Sequence, residues 1–186
     1  MLSALTLYAL VSSITPGPNN LMLMASGVNF GFRRTLPHML GLGIGFTVML
    51  ALVGFGLGGI FAQFPQLETA LKVVAVSYML WLAWKITQSS APEGGARVGG
   101  KPMTFLQAAA FQWVNPKAWI MALSAIPIYA PGQSAAQVLL VAAIFGAVNL
   151  PSVSTWALAG TLMRRWLQDP LRLKVFNWLM AGLLVL

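Results

Sequence analysis

Hydrophobic residues along the chain form six long runs that carry almost no charge, and polar or basic segments separate these runs. The runs cover roughly residues 2–28, 39–61, 67–86, 104–129, 135–163 and 175–186. A helix that crosses the hydrocarbon core of a bilayer needs about 20 mostly apolar residues. The pattern therefore predicts an all-α integral membrane protein with six transmembrane helices. The last run is too short to span, and we expect that helix to be incomplete.

Prolines and polar residues interrupt the first and the fourth run near the middle. The interruptions read Pro16-Gly17-Pro18-Asn19-Asn20 and Asn115-Pro116-Lys117. Proline cannot donate a backbone hydrogen bond and clashes with the preceding turn, and the carbonyls that it frees need partners in hydrocarbon. We therefore expect both breaks to be buried in protein or to line a wet cavity. A simple proline kink in each helix is the alternative interpretation.

The two breaks occupy matching positions in the order of the runs. Pro16 and Pro116 are 100 residues apart, and two further runs follow each broken one. Three helices are an odd number, so the second unit would be inverted relative to the first. Inverted repeats with matching broken helices point to a transport site near the bilayer midplane. We predict one repeat over residues 1–87, a cytoplasmic loop over 88–103 and a second repeat over 104–186.

Composition supports a membrane location and argues against nucleic acid as a partner. The chain is 58% hydrophobic and 8% charged, whereas a soluble domain carries about 25% charged residues. The net charge of +8 comes from basic residues at the ends of the apolar runs. In these positions the basic residues set orientation in the bilayer, so we expect lipid rather than nucleic acid around the chain.

The basic residues are concentrated in three of the segments between runs. These segments, together with the end of the third run, contain nine of the 11 Lys and Arg residues: Arg33, Arg34, Lys85, Arg97, Lys101, Arg164, Arg165, Arg172 and Lys174. Cytoplasmic loops of membrane proteins carry an excess of Lys and Arg. The loops between helices one and two, three and four, and five and six are therefore predicted to be cytoplasmic, with the N-terminus outside.

Residues that commonly carry enzyme chemistry are scarce. The chain has no cysteine, one histidine and three acidic residues, which excludes disulfides and leaves little for a metal site or an acid–base pair. No H-E-x-x-H motif is present. The sequence therefore predicts no cofactor and no metal, and it argues against a membrane-embedded enzyme.

Five motifs occur in order over nearly the whole chain. They are Ser13-Ile14-Thr15-Pro16-Gly17-Pro18-Asn19-Asn20, Gly31-Phe32-Arg33-Arg34, Gly41-Leu42-Gly43-Ile44-Gly45, Tyr78-Met79-Leu80-Trp81-Leu82-Ala83-Trp84-Lys85 and Phe111-Gln112-Trp113-Val114-Asn115-Pro116-Lys117. The ordered set resembles the LysE/RhtB family of amino-acid exporters, and within it the neutral amino-acid branch that includes cysteine and O-acetylserine exporters.

The resemblance implies a secondary exporter of small amino acids or their derivatives in the bacterial inner membrane, driven by the proton gradient. It leaves the oligomeric state open, with a homodimer as one option. Many members carry Asp after Pro-Gly-Pro, where this chain has Asn19. The proton carrier therefore stays open between Lys117, the substrate itself and ordered water. A membrane scaffold or assembly protein without transport activity is the alternative, but its helices would not need matched polar breaks.

Lys117 is the only formal charge well inside an apolar run. A cation in the membrane costs at least a few kcal/mol, so it should face a cavity or a partner. It would serve as the counter-charge of a substrate carboxylate, or as a switch that loses its proton. Alternatively, the helix begins near Pro116 and the lysine extends to the interface.

The remaining candidates are uncharged and lie at the breaks or in helix five. The asparagine amides suit a zwitterionic ligand, or they satisfy backbone groups that the prolines free. A half-helix that begins after Pro18 would direct its positive end at an anionic group such as a carboxylate. Gln112 and Asn149 could equally connect neighbouring helices. The predicted substrate-binding set is Pro16, Pro18, Asn19, Asn20, Gln112, Asn115, Pro116, Lys117 and Asn149.

Overall fold

The computed structural model describes residues 1–57, 59, 63–88 and 101–185, and these residues form helices and turns without any strand. The α-helices are α1 (Leu2–Ile14), α2 (Pro18–Phe30), α3 (Phe32–Leu52), α4 (Pro65–Thr87), α5 (Phe105–Phe111), α6 (Pro116–Tyr129), α7 (Ala135–Met163) and α8 (Pro170–Val185). A π-helical turn (Val53–Leu57) extends α3, and 3-10 turns follow α5 (Gln112–Val114) and precede α8 (Trp166–Gln168).

Both predicted breaks are real breaks in helical structure. The first apolar run divides into α1 and α2, and the fourth divides into α5 and α6. Each second half begins with a proline at its first position, Pro18 in α2 and Pro116 in α6. Proline is favoured there, because the first N–H of a helix has no intrahelical acceptor. Most of the predicted 88–103 loop, residues 89–100, lies outside the described residues.

Two helix starts differ from the predicted ones. We predicted the second helix from about Met39, but α3 begins at Phe32 and carries both arginines in its first turn. We predicted the sixth from about Val175, but α8 begins at Pro170, and the Asp169 carboxylate accepts from the Arg172 N–H at 2.9 Å. An aspartate followed by a proline commonly marks the start of a helix. The prediction relied instead on the residue at which the apolar run begins.

Two of the described helices could cross a bilayer by length and composition alone. They are Phe32–Leu57, with 26 residues and a mean hydropathy of 2.1, and Ala135–Met163, with 29 residues and a mean hydropathy of 1.8. The apolar helix α1 has 13 residues, which is about 20 Å at 1.5 Å per residue and less than the roughly 30 Å core. Six spans therefore remain a prediction.

Glycines bring α2 and α7 into backbone contact. A Cβ atom on Gly27 would collide with the carbonyl of Ala157, and one on Gly160 would collide with the carbonyl of Met24. Helices in lipid associate through such close approach of small residues. Since α2 directly follows the first break, this contact fixes one side of the break against the longest helix.

A second glycine contact joins α3 to α5, which precedes the other break. Cβ atoms on Gly41 and Gly45 would collide with the backbone of Phe105 and Ala109. Among the described helices, α7 also packs along α1 and α3, and α4 packs along α8. The two breaks are thus held side by side in the interior by α3 and α7.

Candidate functional site

A polar cavity lies between the two breaks. The space between its atoms totals about 310 Å³, part of which is open to the outside. Its lining combines the end of α1, the starts of α2 and α6, and the middle of α3 and α7: Ser12, Ser13, Gly17, Asn19, Asn20, Phe46, Asn115, Lys117, Ala118, Met121, Asn149 and Val153. The prediction that the breaks line a cavity agrees with this arrangement.

The last carbonyls of α1 are satisfied by side chains rather than by backbone. Helix C-termini leave carbonyls without intrahelical donors. The Asn20 amide donates to the carbonyls of Ser13 and Thr15, at 2.8 Å each. The indole N–H of Trp156 on α7 donates to the carbonyl of Ile14 at 3.1 Å. The first break is therefore stabilised by partners from α2 and α7.

Lys117 completes this capping from the other broken helix. Its ammonium donates to the Thr15 carbonyl at 2.7 Å, the Thr15 hydroxyl at 2.9 Å and the Pro16 carbonyl at 3.3 Å. A lysine in the first turn of α6 lies at the unfavourable, positive end of its own helix. Its side chain instead reaches the negative end of α1, so the cation is partnered although the residue is half-buried.

Gly17 makes room for this approach. A Cβ atom built on Gly17 would lie 2.7 Å from Cδ and 3.2 Å from Nζ of Lys117. Its φ of 177° is extended backbone that any residue adopts, so the requirement for glycine is one of space. The Pro-Gly-Pro sequence thus lets a cation lie directly beside the start of α2.

The second break is capped locally. The Asn115 side chain accepts from the Lys117 N–H at 3.1 Å, and its own carbonyl accepts from the next two N–H groups, at 3.1 and 3.3 Å. Asparagine is among the best N-cap residues. At the start of α2, Gly17 takes the corresponding position, and no side chain in the described part of the chain caps it.

Asn19 and Gln112 connect the two breaks through paired amides. Asn19 donates to Gln112 at 2.8 Å, and Gln112 donates back at 3.2 Å and also to the Ala108 carbonyl at 2.9 Å. Gln112 is fully buried, and a buried amide needs such partners.

The hydrogen bonds follow a crosswise pattern. The second residue of each half-helix, Asn19 in α2 and Lys117 in α6, binds the segment just before the opposite break. By helix position, Pro18 matches Pro116, an offset of 98 residues. The sequence matches Pro16 with Pro116 instead, and the alignment of the two breaks as an inverted repeat stays a prediction.

Asn149 carries an unmatched acceptor at the cavity wall. Its Nδ2 donates to the Ser13 hydroxyl at 3.2 Å, but its Oδ1 is buried and has no hydrogen-bond partner among the described residues. A buried acceptor without a donor costs about 1–3 kcal/mol. Unsatisfied groups of this kind in native structures call for a ligand, an ordered water or a functional explanation.

Five of the nine predicted residues line the cavity: Asn19, Asn20, Asn115, Lys117 and Asn149. The other four do not line it: Pro16 offers a carbonyl to Lys117, Pro18 and Pro116 begin half-helices, and Gln112 is paired with Asn19. Trp113 and Trp119, which flank the second break, contact each other, and the Trp119 indole donates to the Trp113 carbonyl at 2.9 Å.

Several lining residues were not predicted. Ser12 and Ser13 are polar residues in the last turn of α1, directly before the break, and this position could have identified them. Phe46, Met121 and Val153 are apolar residues on three different helices, and no local signal distinguishes them from core. Among the described residues, no group of three or more His, Cys, Asp or Glu side chains could hold a metal ion.

Helices broken around a buried polar cavity are typical of membrane transporters. A family model described as LysE type translocator matches residues 10–186. The cysteine/O-acetylserine efflux protein of Salmonella typhimurium (strain LT2) is 33% identical over 170 residues, covering 89% of this chain and 85% of the relative. Its namesake in Escherichia coli (strain K12) is 32% identical over the same shares. No solved structure matches the chain. The chain belongs to the LysE family, and it is a membrane transporter and not an enzyme.

Proposed function

We propose that the protein exports small neutral amino acids or their derivatives across the bacterial inner membrane. Membership in the LysE family and similarity to proteins named cysteine/O-acetylserine efflux proteins support the substrate class. The main support for the proposed substrate-binding site is the cavity between the two breaks, which a lysine and several side-chain amides line. Such a set of groups suits a ligand with both a carboxylate and an ammonium.

For the architecture, we propose six spans built from two inverted three-helix repeats, residues 1–87 and 104–186, joined by a cytoplasmic loop. Part of the packing supports this assignment. α1 packs along α7, and its counterpart α5 packs along α3, which is the counterpart of α7. The pairs α3–α7 and α4–α8 each join two counterparts, whereas the close packing of α2 on α7 has no equal between α6 and α3. The hydrogen bonds of Asn19 and Lys117 also support two related repeats, because each residue binds the segment that precedes the opposite break.

For the orientation, we propose that the basic end of the bundle faces the cytoplasm and the N-terminus faces outward. A Cβ atom on Gly31, between α2 and α3, would lie 3.4 Å from the Arg164 guanidinium at the end of α7. The arginines at the start of α3 and at the end of α7 therefore share one end, as the positive-inside rule requires of cytoplasmic loops.

The substrate carboxylate would bind between Lys117 and the start of α2. The α2 N-terminus has no side-chain cap, and the Lys117 ammonium lies beside its Gly17. A helix N-terminus and a cation both stabilise a negative charge. The ammonium now bonds to three oxygens before the first break, so a bound carboxylate would take over part of this coordination and loosen the link between α6 and α1.

The substrate ammonium would donate to Asn149. Its Oδ1 is an acceptor without a donor, and the residue lines the same cavity as Lys117. A ligand that brings a donor to a buried, unsatisfied acceptor removes a penalty of about 1–3 kcal/mol. An analogue that has a carboxylate but lacks the amino group should therefore bind less tightly.

We propose that protons are the coupling ion, although none of the described residues that line the cavity is acidic. Lys117 is the only ionisable residue among them. The candidates are thus the Lys117 ammonium, the substrate amino group and ordered water. A pH gradient that still drives uptake by Lys117→Arg, which keeps the positive charge but does not release its proton, would exclude the lysine as the carrier.

Counterflow of labelled amino acids in proteoliposomes tests the proposal. We expect uptake of O-acetylserine or cysteine by the wild-type protein, and loss of that uptake in Lys117→Ala and Asn115→Ala, with normal insertion. Lys101→Ala, which removes an exposed lysine, is the matched control and should transport normally. If no amino acid moves with or without a proton gradient, the exporter proposal fails and the scaffold alternative gains support.

A further inference from the structure

An apolar groove lies on the bundle at its basic end, away from the polar cavity. It encloses about 830 Å³, including space open to the outside. Its walls come from α2, the end of α7 and the start of α8: Met24, Met163, Trp166, Leu171, Arg172, Val175, Phe176, Leu179 and Met180. Arg172 is the only charged residue among them, and the proposed transport site shares none of them.

The groove has the length of a lipid chain within one leaflet. It extends along α8 from Leu171 to Met180, which is about 13 Å at 1.5 Å per residue. Half of a hydrocarbon core is about 15 Å thick. Phe176 and Met180 are buried, whereas Leu171, Val175 and Leu179 form an exposed stripe at a spacing of four residues. An acyl chain would cover that stripe.

The mouth of the groove is positively charged. The Arg172 guanidinium lies over the Trp166 ring, 5.2 Å from its centroid, which holds the cation at the entrance. The segment from Arg164 to Lys174 contains four basic residues and one acid, Asp169. That carboxylate accepts from the Arg172 backbone N–H, so it acts as a helix cap. The entrance therefore favours a negative headgroup.

We propose that this groove is a binding site for an anionic phospholipid, with an acyl chain along α8 and the headgroup phosphate at Arg172. Clusters of basic residues beside a transmembrane helix attract anionic lipids, at about 1 kcal/mol per Lys or Arg. The site is independent of the transported compound. It would anchor α8 to the bilayer and to α2, the half-helix that forms one wall of the transport cavity.

Spin-labelled lipids in reconstituted protein test this site. With equal acyl chains, we expect phosphatidylglycerol to associate about fivefold more strongly than phosphatidylcholine. This ratio corresponds to the attraction of about 1 kcal/mol between one arginine and an anionic lipid. Arg172→Gln should remove most of this preference. Val175→Trp should fill the groove and reduce association of phosphatidylglycerol, whereas Leu162→Trp, on an exposed apolar residue outside the groove, should not.

Two results would overturn the lipid site. One is equal association of the two lipids with wild-type protein at low ionic strength, where the charge effect is strongest. The other is displacement of phosphatidylglycerol by millimolar glycerol phosphate, because a water-soluble headgroup that competes fully would show that the groove binds no chain. Both readouts use wild-type protein, so neither depends on whether a variant folds.

Discussion

The half-helices that follow the two breaks are similar in length, 13 residues in α2 and 14 in α6, but they are stabilised differently. α2 has no side-chain cap and is fixed by backbone contact with α7 at Gly27 and Gly160. α6 has an asparagine cap and contains no glycine, and it leaves Ile120 and Ile128 more than 60% exposed. The backbone of α2 is held close to α7, whereas α6 combines a local cap with apolar side chains that pack in the core.

This difference indicates which half-helix moves. Separating α2 from α7 would break an extended glycine contact, whereas α6 keeps its cap as it moves because Asn115 belongs to the same segment. Lys117 on α6 is also the residue that we expect to exchange its oxygen partners for a carboxylate. We therefore expect α2 to be the fixed wall of the cavity and α6 the moving one.

The largest effect should follow from separating α2 and α7. In Gly160→Val the new side chain would collide with the Met24 carbonyl, a backbone atom that cannot rotate away. We expect a loss of about 3 kcal/mol or more, seen as little monodisperse protein and a lowered unfolding midpoint. Gly182→Val is the control, since nothing lies within 4 Å of its Cβ position. A Gly160→Val protein of normal stability would refute the tight packing of α2.

The amide pair across the breaks should come next. Gln112→Leu leaves Asn19 without its partner, and Asn19→Leu leaves buried Gln112 with fewer partners, at about 1–3 kcal/mol each. The double variant should lose clearly less stability than the sum of the two, because neither amide is then left unpaired. Denaturation of all four proteins measures this coupling, and additive losses would show that the two amides do not interact.

Gly17→Ala should affect transport more than stability. The added methyl lies within 3.2 Å of the Lys117 ammonium and displaces it without removing its charge. We expect counterflow to fall about tenfold, which corresponds to about 1.4 kcal/mol, with a nearly normal unfolding midpoint. Gly182→Ala is the matched control. Wild-type transport in Gly17→Ala would show that the position of the lysine is unimportant.

Besides its loss of transport, Asn115→Ala should lose a small amount of stability, because it removes the cap of α6. Asn115→Ala removes the side-chain acceptor for the Lys117 N–H at about 1 kcal/mol, and Asn115→Ser should retain most of that stability. Amide hydrogen exchange should accelerate in the first turn of α6 and remain unchanged in α2. Equal acceleration in both half-helices would contradict the contrast between a capped and a packed segment.

The sequence predicts the breaks well because proline and polar residues in an apolar run are a local signal. Pro18 and Pro116 begin half-helices as that signal implies. The partners of Lys117 were not predictable, because its contacts with Thr15 and Pro16 span about 100 residues and depend on how the helices pack. For the same reason, Gln112 was predicted as a binding residue although the structure pairs it with Asn19.

Helix starts were the least predictable part of the fold. The arginines of the Gly31-Phe32-Arg33-Arg34 segment indicated a loop, but they lie in the first turn of α3. A charged turn can extend a membrane helix into the headgroup region, where arginine is tolerated. Hydropathy reports where the apolar part begins, and caps and glycines decide where the helix itself begins.

Protection of a cysteine in the cavity tests the central claim most directly, since the chain contains no native cysteine. Ser12→Cys introduces a thiol into the lining, and Ser154→Cys introduces one on α7 outside it. We predict that O-acetylserine slows modification of the first thiol by a small thiol reagent, leaves the second unchanged, and loses this effect when Lys117→Ala is added. Transport-competent Ser12→Cys protein that labels equally fast with and without the substrate would contradict the account.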